Sequence, residues 1–281
     1  MNRKNSSAII KIPKFFREKL KNKKIAQIYK KFEKSLNINE NFIVAVSGGP
    51  DSLALAFLSK VYSIKNKVVS KFFIVDHKLR NDSTHEAKTV KKLLSKHSIK
   101  ADILTWVGKK PSKNLQSIAR NKRYELLFQQ CDRLKIRNLL LGHHQEDLFE
   151  NFFIRMLRGS GLKGLVSLDK KTKIKNKYLI RPLLNHKKDN LTYISKKVFD
   201  FYVQDPSNDN NKFLRIKIRK LLRELQKNGL DEKKFLNTIK NLKYSNSVVD
   251  YYVNENLKKN SFFSQNTNKL ILNKNFFQQP H

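Results

Sequence analysis

Short unbroken apolar runs recur along the first two thirds of the chain, and between them lie longer stretches whose apolar residues return every three or four positions. The runs are FIVAVS (42–47), KFFIVDH (71–77), ADILTW (101–106) and NLLLGHH (138–144), each flanked by polar or glycine-bearing segments and each the length of a buried strand. The periodic stretches at 52–63, 84–97, 115–135 and 145–157 predict helices. This alternation predicts an α/β fold with a doubly wound, mostly parallel sheet and helices on both faces. YLIRPLL (178–184) reads as a fifth strand, and the charged segment before it, DKKTKIKNK (169–177), as a solvated loop. Turn residues cluster at QDPSNDNNKF (204–213), after which the pattern is helical to Lys259, with a terminal strand at KLILN (269–273). The expected organisation is a basic helical extension over 1–39, an α/β domain over 40–209 and a smaller helical domain over 210–281.

In open α/β sheets ligands bind at the carboxyl ends of the strands. The first strand delivers Ser47, Gly48, Gly49, Pro50, Asp51 and Ser52 there, the second Asp76 and His77, and the fourth Gly142, His143, His144 and, one turn on, Asp147. Glycines let backbone approach an anion, N–H groups at a helix start point at it, and the serine hydroxyls can donate further bonds. The segment SGGPDS lacks the Gly-Lys-Ser/Thr ending of a Walker loop and the spaced glycines of a dinucleotide fingerprint. Without a lysine for the β and γ phosphates, cleavage between the α and β phosphates fits this loop better.

Composition alters the picture in three ways. With 281 residues, 39% of them hydrophobic, the chain can build a real core. The net charge of +37 favours polyanionic partners, nucleic acid first. Most basic residues are lysine, as biased nucleotide composition alone would give, so charge by itself carries no specificity. The single cysteine, Cys131, excludes a disulfide framework and a cysteine-rich zinc site, and its helical setting reads as a small buried residue. No apolar run approaches the length of a membrane span. A cytoplasmic location without membrane contact is the expectation.

The loop SGGPDS resembles the SGGxDS signature of the N-type ATP pyrophosphatases, or PP-loop proteins. Further segments in order resemble the tRNA(Ile)-lysidine synthetase family: VDHKLR (75–80), IARNKRYELL (118–127), GHHQEDLFEN (142–151), RMLRGSGLKGL (155–165), IRPLL (180–184) and QDPSNDNNKFLRIKIR (204–219). The resemblance covers about residues 40–220. The chain departs from the pattern at Glu146, where the motif has its first Asp, at Asn151 in place of Thr, and at Ile216 in place of Asn. Eight of the 13 arginines fall inside these segments, and a planar guanidinium fork suits phosphate or carboxylate better than lysine does.

The resemblance implies ligation of free L-lysine to C2 of the wobble cytosine in an isoleucine tRNA with anticodon CAU, through an adenylated tRNA, with ATP and Mg²⁺. It implies that Ser47, Gly48, Gly49, Pro50, Asp51, Ser52, Asp76 and Gly142 contact the nucleotide, and that Asp51 and Asp147 hold the metal. Asp51, Arg120, His143, His144 and Asp147 are the expected catalytic residues, and Arg80, Arg123, Arg155, Arg158, Arg215 and Arg219 the expected contacts to tRNA or substrate. Other readings stay open: a tRNA thiolase on the same scaffold, or a non-catalytic RNA-binding protein. Whether two chains pair as a homodimer is also open.

Overall fold

A computed structural model describes residues 12–108, 114–203, 214–265 and 268–278. The turn-rich cluster at 204–213 and the first eleven residues lie outside them. The chain divides into two compact units, one of Met1–Phe149 with Asp169–Asn210, the other of Glu150–Leu168 with Asn211–His281.

The first unit is built on a six-stranded sheet. Its strands are β1 (Phe42–Val46), β2 (Ser70–Asp76), β3 (Ala101–Thr105), β4 (Asn138–Leu140), β5 (Lys171–Ile174) and β6 (Lys177–Ile180), in the order β3-β2-β1-β4-β6-β5. All neighbours run parallel except β5, which pairs antiparallel with β6 through Lys171 opposite Ile180. The segment 169–177 is therefore not a simple solvated loop: it holds an edge strand, and it reads as polar because three of its four strand residues are exposed. The fifth apolar run forms a strand only to Ile180; Arg181–Leu184 turn away through a bond from Leu184 N–H to the Arg181 carbonyl.

Helices cover both faces. Helices α1 (Lys14–Leu20), α2 (Lys23–Leu36), α3 (Pro50–Lys65), α4 (Ser83–Lys96) and α8 (Lys188–Phe199) share one apolar cluster with the strands, whereas Leu127 and Cys131 of α5 (Leu115–Leu134) pack on the other face with Ile43, Phe73 and Leu139. Helix α2 shows how the pattern makes the element: Ile25, Ile28, Tyr29, Phe32 and Leu36 form its buried stripe, Asn22 caps its start by accepting from Ile25 N–H, and Asn37 ends it in the left-handed region. Helix α3 is buried along most of its length, as a helix between a sheet and another helix must be.

Helix α6 (Gln145–Met156) starts in the first unit and runs into the second. The second unit continues with α7 (Leu162–Leu165), α9 (Leu214–Lys227), α10 (Glu232–Asn260) and a hairpin of β7 (Ser261–Ser264) and β8 (Lys269–Leu272). Asp231 caps α10 by accepting from the N–H groups of Lys233 and Lys234.

Candidate active site

Strand order reverses between β1 and β4, so the crevice at their carboxyl ends is the topological switch point of the sheet. The SGGPDS loop leaves β1 there and enters α3 with Gly49 as N-cap, Pro50 in the first turn and Asp51 beside it. Ser52 shapes the loop from within. Its hydroxyl accepts from Ser47 N–H at 3.1 Å and from the Ser47 hydroxyl at 3.2 Å, and donates to the Gly49 carbonyl at 3.0 Å. Ser52 is buried and its donor is spent inside the loop, whereas Ser47 is exposed at the crevice. Gly48 adopts φ +86°, and a Cβ there would stand 2.6 Å from Val90 Cγ2 of α4. Glycine is required on both counts. At Gly142 a Cβ would meet the backbone of Asp51 and Ser52 at 3.4 Å, so the end of β4 lies against the start of α3.

That approach brings the acidic residues of both strands onto one imidazole. His144 Nε2 lies 3.5 Å from Asp51 Oδ2 and 3.5 Å from Asp147 Oδ2, and its Nδ1 lies 2.9 Å from Glu146 Oε2. Asp147 Oδ2 also accepts from the His144 backbone N–H at 2.9 Å. Burial disfavours a charged ring, but hydrogen bonds to Asp51 and Glu146 and the nearby Asp147 charge outweigh it and push His144 up to about 10. Burial works against the Glu146 carboxylate too, yet His144 and the Lys188 N–H hold it below the usual range. Asp51 Oδ1 is buried without a hydrogen bond. Among the described residues no three His, Cys, Asp or Glu side chains are arranged to hold a metal ion on their own. Two carboxylates flanking an anion-binding loop are nonetheless the kind of partial set that Mg²⁺ uses together with substrate phosphates.

The other expected residues divide by surroundings. Asp76 is buried and engaged by Lys78 and the start of α4: it accepts from Lys78 N–H at 2.9 Å, from Ser83 Oγ at 2.9 Å and from Thr84 Oγ1 at 2.6 Å. Burial raises its carboxyl but those bonds more than offset it. Arg80 forms a 2.9 Å ion pair with Glu86. Arg120 lies over the Tyr124 ring at 5.4 Å, and Arg123 adds its charge to the burial that lowers His77 to about 4. Arg181 serves the fold: it is buried, its Nη1 donates to the Asp169 carbonyl and to Thr172 Oγ1, and it anchors the β5–β6 hairpin. Arg155, Arg158, Arg215 and Arg219 belong to the second unit. There Arg219 forks onto buried Glu150, with Nε donating to Oε1 at 2.5 Å and Nη2 to Oε2 at 3.4 Å. Arg158 and Arg215 are exposed.

The chain matches the PP-loop domain family over residues 18–225. It is 40% identical over 187 residues to a tRNA(Ile)-lysidine synthase of Orientia tsutsugamushi, covering 66% of this chain and 42% of that protein. It is 35% identical over 191 residues to one of Rhodopseudomonas palustris, covering 67% of this chain and 55% of the relative. The chain thus spans about half the length of these curated relatives. Among solved structures, a U34-tRNA thiolase from Methanococcus maripaludis superposes with a TM-score of 0.66 at 18% identity over 79% of this chain and 78% of that one, a likeness of fold. The loop at the β1 carboxyl end, the switch-point crevice and the match over residues 18–225 converge on one assignment: the chain belongs to the PP-loop domain family.

Proposed function

We propose that this protein is a tRNA(Ile)-lysidine synthase, using ATP to join free lysine to C2 of the wobble cytosine of an isoleucine tRNA with anticodon CAU. The observation that carries the reading is the convergence of Asp51 and Asp147 on His144 beside a phosphate loop that lacks a Walker lysine, in a chain whose curated relatives bear that name. Asp51 and Asp147 would hold Mg²⁺, which would neutralise phosphate charge as pyrophosphate leaves.

In the first half-reaction the cytosine C2 oxygen attacks the α-phosphorus, the bond to the β-phosphate breaks and pyrophosphate departs. In the second the ε-amine of lysine attacks C2, loses a proton, and AMP leaves with the former carbonyl oxygen. Activation is needed because that oxygen is otherwise a poor leaving group. The loop glycines and the N–H groups of the first turn of α3, which have no partner within the helix, cradle the phosphates. His144, 3.5 Å from both Asp51 and Asp147, holds the two carboxylates in place from one side. Arg120, which lies over the Tyr124 ring, would supply positive charge to the reaction. The cation-rich surface attracts RNA by counterion release. Sulfur transfer suits the chain less well: Cys131 is buried, and burial pushes its thiol up to about 11.

The test follows the label. Enzyme, α-labelled ATP and isoleucine tRNA without lysine should yield AMP on the RNA, discharged by lysine and not by arginine. Label that never reaches RNA, or reaches it when the wobble base is uracil, overturns the reading.

A further inference from the structure

Glu146 stands where the resembled motif carries aspartate, and the extra methylene has a visible use. From one backbone position its carboxylate reaches two partners. Oε2 accepts from His144 Nδ1 at 2.9 Å, and both oxygens lie 3.1 Å from the backbone N–H of Lys188, the first residue of α8. A second tie joins the same two segments, from Gln145 N–H to the His186 carbonyl at 3.1 Å. Further along α8 the Ser195 hydroxyl donates to the Pro50 carbonyl at 2.6 Å, inside the SGGPDS loop. These contacts close a circuit: Asp51 to His144, His144 to Glu146, Glu146 to the start of α8, and α8 through Ser195 back to Pro50, the chain neighbour of Asp51. The arm of the circuit is stiff, because Leu191, Ile194, Ser195, Val198 and Phe199 of α8 are all buried.

An imidazole ring held at one nitrogen presents the other in a set direction; held at neither, it turns about its last side-chain bond. Partners of this kind commonly decide how a functional histidine or carboxylate is aimed. We propose that Glu146 is a positioning residue that, braced by α8, aims His144 Nε2 at Asp51 and Asp147, and that Ser195 ties the same brace to the loop. An aspartate, one methylene shorter, cannot reach ring and helix together unless one of them moves. The inference rests on the reading of this crevice as the ATP site.

The experiment combines a signal from the ring with the label-transfer assay. In protein carrying ¹⁵N-histidine, the His144 Nδ1 resonance is compared in the parent and in Glu146→Ala, Glu146→Gln, Glu146→Asp and Ser195→Ala. Rates of AMP transfer to tRNA are measured over a range of ATP concentrations. Glu146→Ala should shift the resonance and lower kcat about 10- to 100-fold with little change in KM for ATP. Glu146→Gln, which keeps the reach, should restore most of kcat, and Glu146→Asp, which keeps the charge, should restore little. Ser195→Ala should act in the same direction and more weakly. An unshifted resonance with parental kcat in Glu146→Ala overturns the proposal, and so does an aspartate variant as active as the parent. Should the alanine variant fail to fold, the contrast between glutamine and aspartate carries the test. Absence of AMP transfer by the parent itself overturns the functional reading, and the ring resonance then decides the brace alone.

Discussion

At the carboxyl edge of the sheet, polar side chains are spent on one another: Ser52 makes three bonds within its loop, Asp76 takes one from Lys78 and two from the first turn of α4, and His144 faces three carboxylates. Helix α10 of the second unit is the opposite case. Only Ile239 of its 29 residues is buried, and Tyr244, Val248, Tyr251 and Tyr252 are exposed. A side chain with several partners at fixed distances can be replaced by few others, whereas an exposed helix face asks only for helical propensity and solubility. Motifs are therefore readable at the edge and absent along α10, where the surest local signal is the Asp231 cap.

The contrast can be broken or sharpened by substitution. The largest effect belongs to the edge: Asp51→Ala should lower AMP transfer about a thousandfold or more with tRNA affinity unchanged, and equal turnover would remove Asp51 from the chemistry. In the second unit, Arg219→Met takes the fork away from the buried Glu150 carboxylate and should cost about 3 kcal/mol by denaturant titration. Adding Glu150→Leu should recover much of it; a harmless single change would mean the pair contributes little. Gly48→Ala should cost about 2 kcal/mol, since alanine meets both a positive φ and Val90; an unshifted midpoint would show that α4 yields easily.

A pH effect should be smaller still. Burial, with Arg123 nearby, holds His77 down at about 4, below its ordinary 6.5. With the folded value depressed, the unfolded chain binds the extra proton first, so the contribution of the neutral ring is full above about 6.5 and is lost as pH falls towards 4. Stability of the parent relative to His77→Gln should decline across that window, and a constant difference would contradict it. The smallest change is expected on α10, where Tyr252→Ser should alter stability by no more than about 0.5 kcal/mol. A larger loss would mean this face supports the fold after all.

Particular elements show how far the sequence can be read. Strands β1 and β4 coincide with apolar runs because a strand inside the sheet and covered on both faces is apolar nearly throughout, whereas β2 is buried mainly from Phe72 on and β3, at the sheet edge, is only partly buried and exposes Asp102. Strand β5 was hidden because an edge strand of Lys, Thr, Lys and Ile carries a loop's composition, and only its pairing with β6 identifies it. Helix α8 left a usable signal, buried positions at Leu191, Ile194, Ser195, Val198 and Phe199 in helical spacing, but its link to Glu146 joins residues 42 apart. For Arg219, the same fork that suits phosphate also suits a carboxylate, and the sequence does not choose between them.

By itself the sequence determined which residues gather at one edge of the sheet. Alternating strand and helix periods are local properties, and right-handed crossovers then bring the carboxyl ends of parallel strands together. Tertiary structure alone decided how those residues are used: that His144 joins Asp51 across the switch point, that Asp76 is engaged by the start of α4, and that Glu146 reaches α8. Partner choice depends on distances of a few ångströms between residues far apart in the chain and on how much water each loses, and neither quantity is written in local periodicity.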